Sequence, residues 1–141
     1  SIGALGIMPV QTSYILSKHA ILAFSECLYL EMQLKKLPIN VSAILPGPVS
    51  TRIFTDSAGT KDATSTFHQK VMEDMLAANG ISGAEAAKII LPQIAAGEFW
   101  VSTHPDMTKE YARNRAKHLT DLSIPSLPPE VMASLGDVHA G

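Results

Sequence analysis

The sequence predicts an α/β fold, and three observations carry that prediction. Stretches with helical apolar spacing alternate with short apolar runs bounded by proline or glycine. The run Ile39 to Leu45 (INVSAIL) is nearly continuous in apolar character, as expected of a strand buried in a parallel sheet. The order reads helix, strand, loop, helix, helix, strand, helix, and two strands cannot make a self-sufficient parallel sheet. The chain therefore reads as the C-terminal half of something larger, with the missing strands expected upstream.

Residues 1–11 are expected to be a strand end running into a glycine-rich loop, with Thr12 or Ser13 capping the helix that follows. That helix should run to about Leu37, where Pro38 stops it. Lys35 and Lys36 suit its negative C-terminal end, and Glu31 with Lys35 makes a favourable i,i+4 pair. Ile21, Leu22, Leu28 and Met32 fill one side, while Ile15, Ala23, Phe24, Leu30 and Leu34 fill others. A helix apolar most of the way round is expected to be buried on most sides, in part by a partner subunit.

The strand at Ile39 to Leu45 ends sharply at Pro46-Gly47-Pro48, and residues 49–63 have the polar composition of a mobile loop. A helix from about Ser65 to Asn79 should present Phe67, Val71, Met75 and Ala78 along one stripe and stop at Gly80. Ser82 and Glu85 form a capping box for a helix to about Ala96, which Pro92 should kink or break early. Gly97 closes it, and Phe99 to Thr103 reads as a second strand before Pro105. A last helix, from roughly Thr108 to Leu122, precedes a tail bearing Pro125, Pro128 and Pro129. The division is one partial domain over 1–122 and a proline-bearing tail over 123–141.

Composition narrows the function classes. With 141 residues, 46% hydrophobic and 17% charged, the chain is globular and long enough to bury a core. A net charge of −2 gives nucleic acid or an anionic membrane no electrostatic footing. Cys27 is the only cysteine, which excludes a disulfide framework and a thiolate metal site and suits a reducing compartment. The five histidines show no metal-ligand spacing. Lys109, Arg113, Arg115 and Lys117 read as a solvated basic face, and Phe99 and Trp100 as core or interface residues. The chain begins with Ser1, shows no signal-type segment, and its apolar runs fall short of the roughly 18 residues of a membrane helix. We expect a soluble, cytoplasmic chain that lacks its beginning.

Chemistry concentrates in Tyr14-Ile15-Leu16-Ser17-Lys18. A tyrosine and a lysine four apart share one helix face, one turn from each other. There the ammonium favours the phenolate, so the phenol can pass a proton near neutral pH. A serine hydroxyl beside them could polarise a carbonyl, and Ser1 lies thirteen residues before Tyr14. A lone Tyr-x-x-x-Lys says little, because it also occurs as a helix surface pair. Joined to Ser1, to Ser17 before the lysine, and to Pro46-Gly47-Pro48-Val49-Ser50-Thr51 after the next strand, it resembles the short-chain dehydrogenase/reductase family. The resemblance covers nearly the whole chain in order and spacing, and the 108–141 tail is its least typical part.

The resemblance implies a Rossmann-type doubly wound parallel sheet, of which this chain would be the C-terminal half without the N-terminal dinucleotide-binding strands. It implies an NAD(P)-dependent oxidoreductase that moves hydride between the nicotinamide and an alcohol or ketone. Tyr14 would be the acid/base. Lys18 would hold the phenolate and bond the nicotinamide ribose, and Ser1 would bond the substrate oxygen. Pro46 and Gly47 would let backbone approach the cofactor, with Val49 meeting the carboxamide and Thr51 the amide or diphosphate. The glycine-rich diphosphate turn and the residue that separates NAD from NADP are not in the chain, so by itself it is expected to bind no dinucleotide.

Residues 49–80 would form a substrate lid. Phe54, Phe67, Met72 and Met75 either line it for an apolar alcohol or ketone or pack the lid helix on the body. His68 is the histidine nearest the expected substrate side, and His19 packs or faces solvent. The parent would be a homodimer or homotetramer. Two other classes stay open: a non-catalytic chain whose apolar helix serves association, and an extended-type sugar-nucleotide epimerase or dehydratase with a similar tyrosine–lysine pair. Against the latter stand the prompt Pro-Gly-x-Val-x-Thr and the short remainder.

Overall fold

The computed structural model describes residues 1–51 and 63–127. They form a mixed α/β structure: a 3-10 helix Ile2–Leu5, α1 Thr12–Leu34, β1 Ala43–Leu45, β2 Val49–Ser50, α2 Ala63–Asn79, β3 Ile81–Ser82, α3 Gly83–Ala95, β4 Trp100–Ser102 and α4 Pro105–Thr120. β1 and β4 pair in parallel, with Ala43 opposite Trp100 and Leu45 opposite Ser102. Parallel neighbours need a long crossover, and here it runs through α2 and α3. β2 and β3 make a second parallel pair, Val49 opposite Ile81.

The first residues lie against β1. The Ser1 nitrogen donates to the Ile44 carbonyl at 3.0 Å, and the Ile2 N–H to the Pro46 carbonyl at 3.0 Å. Beside β4, the Gln93 carboxamide donates to the Ser102 carbonyl at 3.1 Å and accepts the Ser102 N–H at 3.1 Å. A side chain thus satisfies backbone groups as a neighbouring strand would. The buried apolar residues are Ile2, Ala4, Ala43, Leu45, Met72, Ala86 and Val101, with Val101 fully enclosed. Of these, Ile2 and Ala4 lie on the 3-10 helix, which packs against β1, and Ala43, Leu45 and Val101 lie on the β1–β4 pair.

Several expectations are corrected. Residues 1–11 do not continue a strand: Ser1 caps a 3-10 turn by accepting the Gly3 N–H. The N-cap of α1 is Gln11, without a side-chain cap bond, not Thr12 or Ser13. The turn through Pro9 and Val10, the latter at φ 69°, delivers the chain already helical at Thr12. α1 ends at Leu34, three residues before Leu37, because Lys36 takes a positive φ of 53° and the Leu37 N–H closes on the Met32 carbonyl. Lys35 is therefore past the helix, and among the described residues the one ion pair is Lys117–Asp121, not Glu31–Lys35.

No residue of α1 is buried, against the expectation that it would be covered on most sides. Leu16, Phe24 and Leu34 stay 70%, 66% and 82% exposed, since among the described residues α1 packs mainly on the 3-10 helix and β1, with Tyr29 against the Phe99 ring. The strand expected over Ile39 to Leu45 shortens to Ala43–Leu45, and Ile44 faces outward between two buried neighbours. Part of the expected loop is β2, fixed by its pairing with β3, while residues 52–62 lie outside the described set.

α2 starts at Ala63 rather than Ser65, and it turns a different stripe inward. Met72 is buried and Met75 and Leu76 half-buried, an i, i+3, i+4 set, whereas Val71 and Ala78 are exposed. α3 runs through Pro92 to Ala95 instead of breaking. The proline removes one bond, to the Lys88 carbonyl, and the Ala96 N–H still closes the last turn on the Pro92 carbonyl at 2.9 Å. Gly97, at φ 75°, then makes the left-handed exit that glycine permits. α4 starts at Pro105, where a missing N–H is no loss at the first helical position.

Candidate active site

Two elements, α1 and the 3-10 turn, meet at Tyr14. The first turn of α1 carries the tyrosine, the 3-10 turn carries Ser1, and the second turn of α1 carries Lys18. Ser1 Oγ lies 2.8 Å from Tyr14 Oη, and either can be the donor. Ser1 Oγ also accepts the Gly3 N–H at 3.1 Å, which fixes the hydroxyl's position from below. Lys18 Nζ sits 5.1 Å from the Tyr14 ring centroid, over its face. Among the described residues Lys18 has no carboxylate partner. Two hydroxyls in contact, with an ammonium one turn away, can share and pass a proton and can bond one oxygen between them.

Ser17 does not join this group through its side chain; its Oγ donates to the Tyr14 carbonyl at 2.7 Å. His19 Nδ1 likewise donates to the Ile15 carbonyl at 3.0 Å, so it is held on the helix. A cavity of about 230 Å³ opens between α1 and β1, lined by Ser1, Lys18, Ile21 and Leu22 on one side and Ala43 to Leu45 on the other.

The Pro46–Thr51 turn is tied to the same centre by the Ile2 N–H bond to the Pro46 carbonyl. Gly47 N–H donates to Thr103 Oγ1 at 2.9 Å, and the His104 ring packs on Gly47. A Cβ on Gly47 would lie 2.6 Å from His104 Nδ1, so glycine is needed there for space. Val49 is half-buried in β2, paired with Ile81, and Thr51 is exposed at the end of the turn. The structure thus brings Ser1, Tyr14 and Lys18 into one contact set and anchors Pro46 and Gly47 beside it. Val49 follows in β2, and Thr51 lies just past its end.

Of the expected lid residues, Met72 is buried in the body and Met75 half-buried, so both serve packing of α2. Phe54 lies outside the described residues, as do the side chains of Phe67 and His68. Reading the sequence missed Gly3, Thr103 and His104. The small residue two after Ser1 and the Thr-His pair just after the last strand were the available signals. Among the described residues no group of three His, Cys, Asp or Glu could hold a metal ion, and no helix is long and apolar enough to cross a membrane. No family model, curated protein or solved structure matches the chain.

Proposed function

We propose that this chain carries the proton-transfer half of an NAD(P)-dependent short-chain dehydrogenase/reductase acting on an alcohol or ketone. The observation that carries the reading is the contact set itself: Ser1 Oγ at 2.8 Å from Tyr14 Oη, with the Lys18 ammonium over the same ring. The parallel β1–β4 pair joined by helical crossover suits the C-terminal half of a Rossmann-type sheet. The residues present fit the nicotinamide end of such a cofactor. Lys18 is a cation with no carboxylate partner among the described residues, and the Pro46–Gly47 turn directly follows the carboxyl end of β1. A bound nicotinamide would supply the hydride in reduction and accept it in oxidation.

The chain's own residues do the rest. In reduction, Tyr14 holds a proton on Oη and gives it to the substrate oxygen; in oxidation, it takes one from the alcohol. Ser1 Oγ donates to the same oxygen as negative charge grows on it, and the Gly3 N–H keeps the serine oxygen in place. The Lys18 ammonium lies over the same ring, with its positive charge facing the charge left on Oη.

A rival reading is a non-catalytic chain whose α1 serves association, and the exposed apolar residues of α1 favour it. A turnover assay separates the two. The complete protein is expected to oxidise NADH or NADPH, or to reduce NAD or NADP, in the presence of a panel of apolar ketones and secondary alcohols. Absence of cofactor turnover across that panel, in a folded protein that binds the dinucleotide, would favour the non-catalytic reading.

A further inference from the structure

We propose that Thr103 and His104 are positioning residues, which hold the Pro46–Thr51 turn in place through a one-directional hydrogen-bond relay from Gly47 to Asn79. What the turn does rests on the oxidoreductase reading above; how it is held rests on geometry alone. The relay starts at the Gly47 N–H, which can only donate and lies 2.9 Å from Thr103 Oγ1. Thr103 is buried, and its oxygen is 2.8 Å from His104 Nδ1. The far end is equally constrained. His104 Nε2 is 2.9 Å from the Asn79 carbonyl, which can only accept, so the imidazole proton sits on Nε2. Nδ1 is then the acceptor, and the Thr103 hydroxyl donates to it while accepting from Gly47. The Nε2–H tautomer places every proton in the chain on an acceptor.

The two ends of this relay are the places where the chain leaves the body after β1 and where it returns after α2. Asn79 is the last residue of α2, whose terminal carbonyls lack partners within the helix, and His104 supplies one. Just beyond, the Ile81 N–H donates to the Pro48 carbonyl at 3.2 Å and β2 pairs with β3. His104 is itself braced: Ser102 Oγ accepts its N–H at 3.1 Å and contacts Thr108 Oγ1 at 2.7 Å. The packing of the imidazole on Gly47 leaves no room for a Cβ, so turn and ring must move together. The position of Gly47, and of the backbone that follows it to Val49 and Thr51, is thereby set from β4 and not from β1 alone.

Nitrogen NMR of the complete protein, with labelled histidine, tests this directly. His104 should show the Nε2–H tautomer. Thr103→Val, which keeps the shape and removes the hydroxyl, should leave the tautomer set by Asn79 and speed Gly47 amide exchange roughly tenfold. Thr103→Ser should restore the slow exchange. With turnover as readout, Thr103→Val should raise the cofactor KM several-fold and leave kcat within about twofold, the mark of a residue that positions the binding turn. An Nδ1–H tautomer in the wild type, or unchanged Gly47 exchange in Thr103→Val, overturns the relay, and the wild-type tautomer is read even if the variant fails to fold. An unchanged cofactor KM with the relay broken overturns its role at the site. Absent turnover with the tautomer and exchange as expected supports the relay and contradicts only the oxidoreductase reading.

Discussion

Gly3 sits against the Tyr14–Ser1 pair, and its lack of a side chain is part of the site. A Cβ there would lie 3.1 Å from Tyr14 Cε1 and 3.3 Å from Ser1 Oγ, closer than carbon normally approaches either. The tyrosine is 36% exposed, so its ring can move outward by a few tenths of an ångström. Gly3→Ala is therefore expected to change stability by less than about 1 kcal/mol while lengthening the Ser1–Tyr14 contact and lowering turnover roughly tenfold. Denaturant midpoints and steady-state rates check the two halves, and an unchanged rate contradicts the role given to Gly3. Tyr14 and Lys18 were legible in the sequence because an i,i+4 pair is local. Ser1 became legible only through its fixed distance from Tyr14. Gly3, Thr103 and His104 were not, since their roles depend on contacts that folding creates: Gly47 meets Thr103 across 56 residues and Asn79 meets His104 across 25.

At the scale of elements, local chemistry predicted ends well where side chains set them. Ser82 accepts the Glu85 N–H at 3.2 Å, and the Glu85 carboxylate accepts the Ser82 N–H at 2.9 Å, the reciprocal cap expected from Ser-x-x-Glu. Ser82→Ala should lower stability by about 1 kcal/mol in urea titration; no change would show that α3 is held by packing alone. The hydrogen bonds from Ser82 hold the Glu85 carboxyl below its ordinary pKa. A depressed carboxyl contributes stability above its unfolded pKa and loses it as pH falls through the folded value. The cap's contribution should therefore fade in acid, and the difference between wild type and Ser82→Ala should narrow there. Ends set by tertiary geometry were not legible. The Val10 turn replaces a side-chain cap for α1, and two-residue strands such as β2 exist only because β3 returns beside them. The α2 stripe shares Met75 with the expected set but runs through Met72 and Leu76 instead of Val71 and Ala78, because both sets match the helical period.

For the molecule as a whole, the balance of buried and exposed apolar surface is the dominant physical fact. Leu16, Ile21, Phe24, Leu30 and Leu34 of α1 are all more than half exposed, while among the described residues the buried apolar side chains are Ile2, Leu45, Met72, Val101 and three alanines. An apolar helix face of this extent is unfavourable in water and drives association. We expect the complete protein to sediment as a dimer or tetramer, and Phe24→Glu, in the middle of that face, to shift it toward smaller species. A monomer at every concentration in the wild type would contradict this. The sequence showed that α1 was apolar on several sides, but not what covers it. The described chain leaves that face open.

The central claim is that Tyr14 moves the proton in a nicotinamide-dependent reaction, and one substitution isolates it. Tyr14→Phe removes a single oxygen from a ring that is partly exposed, so folding should be retained. In the complete protein, turnover should fall by about 10² to 10⁴-fold, with the cofactor dissociation constant nearly unchanged. Turnover kept within tenfold of the wild type would contradict the account.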